Sequence, residues 1–170
     1  MKLNGKTIFI TGASRGIGRC MALRFAADGA NIVIAAKTVE PHKFLPGTIH
    51  ETAAEVEKAG GKALAIQMDV RDADSVAEGV AKAAEHFGGI DILVHNAGAY
   101  WLKPTAEFSV KRHDLMFGIN ERAYFLLAQA VYPHLLKSDN PHILGLAPPL
   151  DLNPIWFMNS SAYTVSKFAM

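Results

Sequence analysis

Short apolar runs alternate along the chain with segments whose apolar residues recur every three or four positions. The runs are Lys6 to Thr11, Asn31 to Ala36, Ala63 to Met68, Ile90 to His95 and His142 to Ala147. Each is nearly continuous, the pattern of a strand covered on both faces. Between them Ile17, Cys20, Met21 and Phe25 share a helical spacing, as do Val76, Val80, Ala83 and Phe87. A longer stretch carries Leu115, Ile119, Leu126, Ala130 and Val131, and a last helical segment begins near Asn159. Gly29, Gly60, Gly61, Gly88 and Gly89 fall where helices should stop. Five strands alternating with five helical segments predict an α/β fold. Its form is a doubly wound parallel sheet in three layers, α/β/α, with right-handed crossovers. Residues 1–170 read as one domain without linker or repeat.

Composition narrows the class. The 170 residues are 50% hydrophobic and 19% charged, which excludes a disordered or collagen-like chain. A net charge of +1, with both signs mixed along the chain, argues against a nucleic-acid partner. One cysteine cannot close an internal disulfide, and Cys20 falls among the apolar positions of the first helix, so it is expected in the core. No apolar run reaches the ~18 residues of a membrane span. The polar stretch Met1 to Gly5 does not resemble a signal peptide. A soluble, cytoplasmic protein is predicted. The seven histidines lack the close, same-face spacing of a metal site. His42, His50, His86, His113, His134 and His142 are expected at the surface or as caps, and no metal is expected.

The first strand runs into Thr11-Gly12-Ala13-Ser14-Arg15-Gly16-Ile17-Gly18 and then a helix. Glycines at such a junction allow a sharp turn and close approach of a pyrophosphate, whose charge the helix N-terminus favours. The spacing is Gly-x-x-x-Gly-x-Gly, and its place after the first strand predicts nucleotide binding. An acid closing the second strand would bind ribose hydroxyls and favour NAD. This strand instead closes with Ala35-Ala36-Lys37-Thr38. Lys37 and Arg15 are therefore read as facing a 2′-phosphate, and NADP(H) is the expected cofactor.

These residues, with others downstream, make the chain resemble the short-chain dehydrogenase/reductases. The matches are Thr11 to Gly18, Ala35-Ala36-Lys37, Asp69-Val70, Asn96-Ala97-Gly98, Asn120, Asn140-Pro141-His142-Ile143-Leu144 and Tyr163-Thr164-Val165-Ser166-Lys167. The resemblance implies a Rossmann-type fold and a cofactor held along Gly12, Ala13, Ser14, Arg15, Gly16, Ile17 and Gly18. It implies that Asp69, beside Val70, contacts adenine, and that Asn96, Ala97 and Gly98 line the cofactor and steady the sheet. Tyr163 would exchange a proton with the substrate oxygen, Lys167 would hold the nicotinamide ribose, and Asn120 would support a relay water. Four residues apart, Tyr163 and Lys167 share a helix face. An ammonium near a phenol lowers its pKa from about 10 towards the range useful for proton transfer. His95 stands where the family more often has a second Asn.

Two departures from the family bear on function. Its substrate-binding serine falls at Ala147 or Pro148, and neither side chain can donate a hydrogen bond. Ser160 and Ser161 lie too close to Tyr163 in sequence to take its place unless the loop is rearranged. Family members also continue past the Tyr helix with two more strands, and that helix helps to build a dimer. The resemblance thus implies a chain incomplete at its C-terminus that lacks the family's last strands and exposes apolar surface. It also implies a homo-oligomer in the full-length form. Eukaryotic relatives of this type can be peroxisomal, and a mitochondrial address is a further alternative. For Tyr100 and Trp101, lining a substrate cleft and simple packing are equal readings. Pro41 to Gly47, with Phe44 and Leu45, reads as a loop that either covers the adenosine end or does not.

The prediction is an NADP(H)-dependent oxidoreductase interconverting a carbonyl and a secondary alcohol on a small, lipid-like molecule. The alternative is a nucleotide-binding module or cofactor sensor without turnover, which Ala147 and Pro148 favour. An inactive truncated form is the third reading.

Overall fold

The computed structural model describes residues 3–41, 43 and 45–170; the expectations for His42 and Phe44 lie outside the described residues. Five strands, β1 (Thr7–Thr11), β2 (Asn31–Ala36), β3 (Lys62–Gln67), β4 (Ile92–His95) and β5 (His142–Gly145), form one sheet in the order β3-β2-β1-β4-β5. Every pairing is parallel. The helices are α1 (Gly16–Ala27), α2 (Ile49–Lys58), α3 (Ala73–Phe87), α4 (Val110–Phe117), α5 (Ala123–Leu135), α6 (Ile155–Met158) and α7 (Ser161–Ala169).

Side chains alternate across the strands, and each face of the sheet builds its own core. Ile8, Ile10, Ile32, Ile34 and Val94 pack with Ala22 and Ala26 of α1 and Val56 of α2. Phe9, Val33 and Leu93 pack on the other face with Val76 and Val80 of α3 and Leu127 and Val131 of α5. Burying each large side chain contributes about 1.5–3 kcal/mol. Local signals agree with the boundaries. Thr48 and Glu51 form a reciprocal capping box at the start of α2, and Gly88, at φ 83°, ends α3 in the left-handed conformation.

Four sequence expectations need correction. The buried face of α1 is Gly18, Ala22 and Ala26, while Ile17 and Cys20 are exposed. The helix lies so close to the sheet that only small residues fit beneath it, so the larger residues fall at the margin. Cys20 is therefore not a core residue. Second, the long stretch from Leu115 to Val131 is α4 and α5 joined by a π-helical turn at Gly118–Arg122, which shifts the apolar face in mid-helix. Third, β5 is not covered on both faces. It stands at the sheet edge, where Ile143 and Leu144 are exposed, and its ladder ends at Gly145. Fourth, the final helical segment is divided into short α6 and then α7. The expected exposure of apolar surface is found here, at Leu150, Leu152, Ile155 and Trp156. Among the described residues no helix is long and apolar enough to cross a membrane.

With β2 on one side of β1 and β4 on the other, the chain reverses its winding at β1. The carboxyl ends of these strands therefore open into a crevice, the place where such sheets bind ligands.

Candidate active site

Thr11 closes β1 and holds two turns together. Its hydroxyl oxygen accepts the backbone N–H groups of Asn96 at 3.2 Å and Ala97 at 3.1 Å. In return the Asn96 side-chain amide donates to the carbonyls of Thr11 at 3.0 Å and Gly12 at 3.1 Å. The glycine-rich turn and the Asn-Ala-Gly turn are thus fixed to each other. The fit leaves no room for a methyl group on α1 at this point. A Cβ on Gly18 would lie 2.5 Å from Asn96 Nδ2 and 2.6 Å from the Gly12 carbonyl oxygen. Gly18→Ala is therefore expected to destabilise the protein by about 1–3 kcal/mol, read as a Tm lowered by about 2–4 °C per kcal/mol in thermal denaturation.

At the start of α1 the geometry reverses. Gly16, at φ +56°, faces open space where a Cβ would stand. Arg15, the residue before the helix, makes no side-chain cap, and no acidic residue occupies the first turn. The first backbone N–H groups of α1 are therefore left to an anion.

This turn floors a cleft of about 810 Å³ at the carboxyl ends of the strands. Of the predicted residues, Gly12, Ser14, Arg15, Gly16, Ile17, Lys37, Asp69, Val70, Asn96, Ala97 and Gly98 line it. Ala13 is fully buried, and Gly18 packs behind the turn. Tyr100, read equally as cleft-lining or packing, lines it too, and with Leu115 and Ile119 it forms an apolar wall; Thr38, Arg71, Leu115 and Ile119 were not anticipated from the sequence.

One end of the cleft is cationic. Arg15 Nη2 donates to Thr38 Oγ1 at 2.7 Å and to the Gly47 carbonyl at 3.5 Å. Gly47 thus lies against this end. Lys37 pairs with Asp69 at 3.0 Å, and Arg71 grips the same carboxylate through Nε at 3.0 Å and Nη2 at 2.6 Å. The Arg71 guanidinium, helped by Lys37, holds the Asp69 carboxyl well below the usual carboxylate range.

The other end gathers the predicted chemistry. A Cβ on Gly98 would lie 3.5 Å from Asn120 Oδ1 and 3.7 Å from Lys167 Nζ. Asn120, fully buried in the π turn, accepts the Ala99 N–H at 2.9 Å and donates to the Ala99 carbonyl and to Ser166 Oγ, both at 2.9 Å. Ser166 donates onward to the Tyr163 carbonyl at 2.8 Å. Ser166 therefore links Asn120 to the Tyr163 helix, a role that no local pattern of residues signals. Both side-chain protons of Asn120 are committed to these partners.

Tyr163 is half-buried, and burial pushes its phenol up. The downward pull expected from Lys167 is not found. The ammonium donates instead to the Leu146 carbonyl at 2.8 Å, and its own burial pushes it down. Tyr100 stands with its ring 6.4 Å from that of Tyr163, edge to face, whereas Trp101 packs under the Arg112 guanidinium at 4.3 Å. Tyr100 is thus a cleft residue and Trp101 a packing one. Ala147 and Pro148 are exposed and offer no side-chain donor. Ser160 donates to the Trp156 carbonyl, and Ser161 pairs with Thr105 at 2.8 Å, so both hydroxyls have partners elsewhere. Of the remaining histidines, His50, His86, His113 and His142 are exposed, and His134 is half-buried.

Known proteins share this fold. The hydroxysteroid dehydrogenase-like protein 2 of Danio rerio is 60% identical over 169 residues, covering 99% of this chain and 41% of its own. The human protein of the same name is 53% identical, with 40% of its length covered. The chain thus spans about two fifths of the length of these curated relatives. The crystal structure of a short chain dehydrogenase from Mycobacterium thermoresistibile is 51% identical, with a TM-score of 0.94 over 98% of this chain and 59% of that one. A metagenomic short-chain oxidoreductase in complex with NADP, 29% identical, superposes with a TM-score of 0.88 over 99% and 73% of the two chains. NAD+-bound xylitol dehydrogenase, 26% identical, superposes at 0.86 over 99% and 62%. Residues 6–170 match the short chain dehydrogenase family, and the chain belongs to that family.

Proposed function

We propose that the protein is an NADP(H)-dependent oxidoreductase that interconverts a carbonyl and a secondary alcohol on a small, lipid-like molecule. The observation that carries this reading is one cleft with an unpaired helix start and cations at one end, and with Gly98 and Tyr100 lining the other end, beside Lys167 and Tyr163. The apolar wall of Tyr100, Leu115 and Ile119 supports the lipid-like substrate.

The residues present fit a dinucleotide. The N–H groups of Gly16 and Ile17 would hold its pyrophosphate, Gly98 would leave room for its nicotinamide end, and Arg15, Thr38 and Lys37 would hold its adenosine end. A bound nicotinamide supplies or accepts the hydride at the carbonyl carbon. Tyr163, kept protonated at neutral pH by its burial, holds the proton that a carbonyl oxygen needs on reduction. Lys167 keeps positive charge beside the site, and Asn120 sets the spacing between the Asn-Ala-Gly turn and α7.

The preference for NADP(H) over NAD(H) rests on Arg15 and Lys37 and on the absence of an acid closing β2. A fluorescence titration with NADPH and, separately, NADH tests it. Arg15→Ala is expected to weaken NADPH binding by about one to two decades, the worth of one charge-assisted hydrogen bond, and to leave NADH nearly unaffected. Equal losses for both cofactors would overturn the 2′-phosphate assignment.

A second reading, a nucleotide-binding module without turnover, is favoured by the missing donor at Ala147 and Pro148. It predicts intact NADPH binding with no rate on any carbonyl.

A further inference from the structure

The proposed chemistry leaves one buried titratable group unused. His95, at the end of β4, is 1% exposed and lies directly before the Asn-Ala-Gly turn. Its Nδ1 stands 3.3 Å from Thr11 Oγ1. That oxygen already accepts two N–H groups, from Asn96 and Ala97. A hydroxyl has two acceptor lone pairs and one proton. Both lone pairs are used, so the Thr11 proton must point at Nδ1, and Nδ1 must carry no proton of its own.

A neutral imidazole without a proton on Nδ1 carries it on Nε2. Burial, reinforced by the nearby Lys167 charge, holds the ring neutral, with its pKa down at about 4. Among the described residues Nε2 has no partner at hydrogen-bonding distance. Tyr124, whose ring centroid lies 5.4 Å away, packs against the imidazole.

We propose that His95 is a positioning residue, fixed in the Nε2–H tautomer, that accepts the Thr11 proton and thereby holds the Thr11 lone pairs on the N–H groups of the Asn-Ala-Gly turn. Its consequence for turnover rests on the oxidoreductase reading; its structural content does not. A protonated ring would present a donor to a Thr11 hydroxyl that is itself donating, so only the neutral ring satisfies this junction.

The first test is a long-range proton–nitrogen NMR spectrum of the histidine side chains. It should show His95 protonated on Nε2 alone and unchanged from neutral pH down to about 5, since the ring titrates near 4. A proton on Nδ1 would overturn the proposal. Two variants then test the link to Thr11. The amide of His95→Asn reaches the place of Nδ1, and that of His95→Gln reaches the place of Nε2. His95→Asn should keep amide-exchange protection at Ala97, which reports Thr11, whereas His95→Gln should lower it by about tenfold, the factor one hydrogen bond is worth. Equal loss in both variants, or loss in neither, would reduce His95 to packing. None of these readouts uses cofactor or turnover, so failure here is separate from failure of the proposed activity.

Discussion

Tyr163→Phe is expected to lower turnover by about 10²–10⁴-fold, while NADPH affinity changes by no more than about twofold. The substitution removes one hydroxyl and keeps the ring that packs edge to face with Tyr100. The buried links around it run through the Tyr163 carbonyl and Ser166, not through the phenol. The folded site should therefore survive. Initial rates with NADPH and a panel of aldehydes and ketones give the first number, and a fluorescence titration gives the second. Unchanged rates with intact binding would leave the nucleotide-binding module as the better reading.

The pH dependence follows from the same residue. Burial raises the Tyr163 phenol above its ordinary value, so the protonated form dominates at neutral pH and persists into the alkaline range. A group that donates its proton loses activity as pH rises through its pKa, and a group that accepts one gains activity there. Carbonyl reduction should be flat in pH through neutrality and fall only on the alkaline side, whereas alcohol oxidation should climb with pH. Both limbs should vanish in Tyr163→Phe. Lys167 donates to the Leu146 carbonyl. Any movement that brings the ammonium nearer the phenol would shift both limbs towards lower pH.

Much of this site was legible in residues whose patterns have one physical meaning. The central strands β1 and β2 are apolar between their ends because helices cover both faces, and a short, nearly continuous apolar run is the direct mark of that double cover. The glycine turn was legible because its glycines serve different ends, Gly16 facing space and Gly18 facing Asn96. The side of α1 that packs was misread for the same reason. Close approach selects Gly18, Ala22 and Ala26, which carry little hydropathy signal, and leaves Ile17 and Cys20 outside. The π turn was hidden because one displaced hydrogen bond leaves no mark on residue type. Asn120 was found through family resemblance alone. Its partner Ser166, and the two accepted bonds that fix the Thr11 proton on His95, are relations between distant segments that no local pattern encodes.

Ala147→Ser is expected to raise carbonyl reduction by about 10²–10³-fold, the usual worth of one preorganised donor to a developing oxyanion. The preceding residue is fixed on both sides: the Leu146 N–H donates to the His95 carbonyl at 3.1 Å, and the Leu146 carbonyl accepts Lys167 Nζ at 2.8 Å. A hydroxyl at residue 147 would thus stand one residue beyond the anchor of Lys167. Pro148 restricts the backbone before it to extended conformations, which limits the positions that the hydroxyl can take. Ala147 is exposed, so adding one oxygen there should cost little stability. Ser160 and Ser161 already have partners, at Trp156 and Thr105, and should not compete for the substrate. Rates of the parent protein and the variant with the same carbonyl panel decide the matter, and adding Tyr163→Phe to Ala147→Ser should cancel the gain. A gain that depends on Tyr163 would show that the proton-transfer machinery is assembled and lacks only its donor. An unchanged rate would mean that the substrate oxygen is held from elsewhere, and the cleft-lining Tyr100 beside Tyr163 would be the next residue to change.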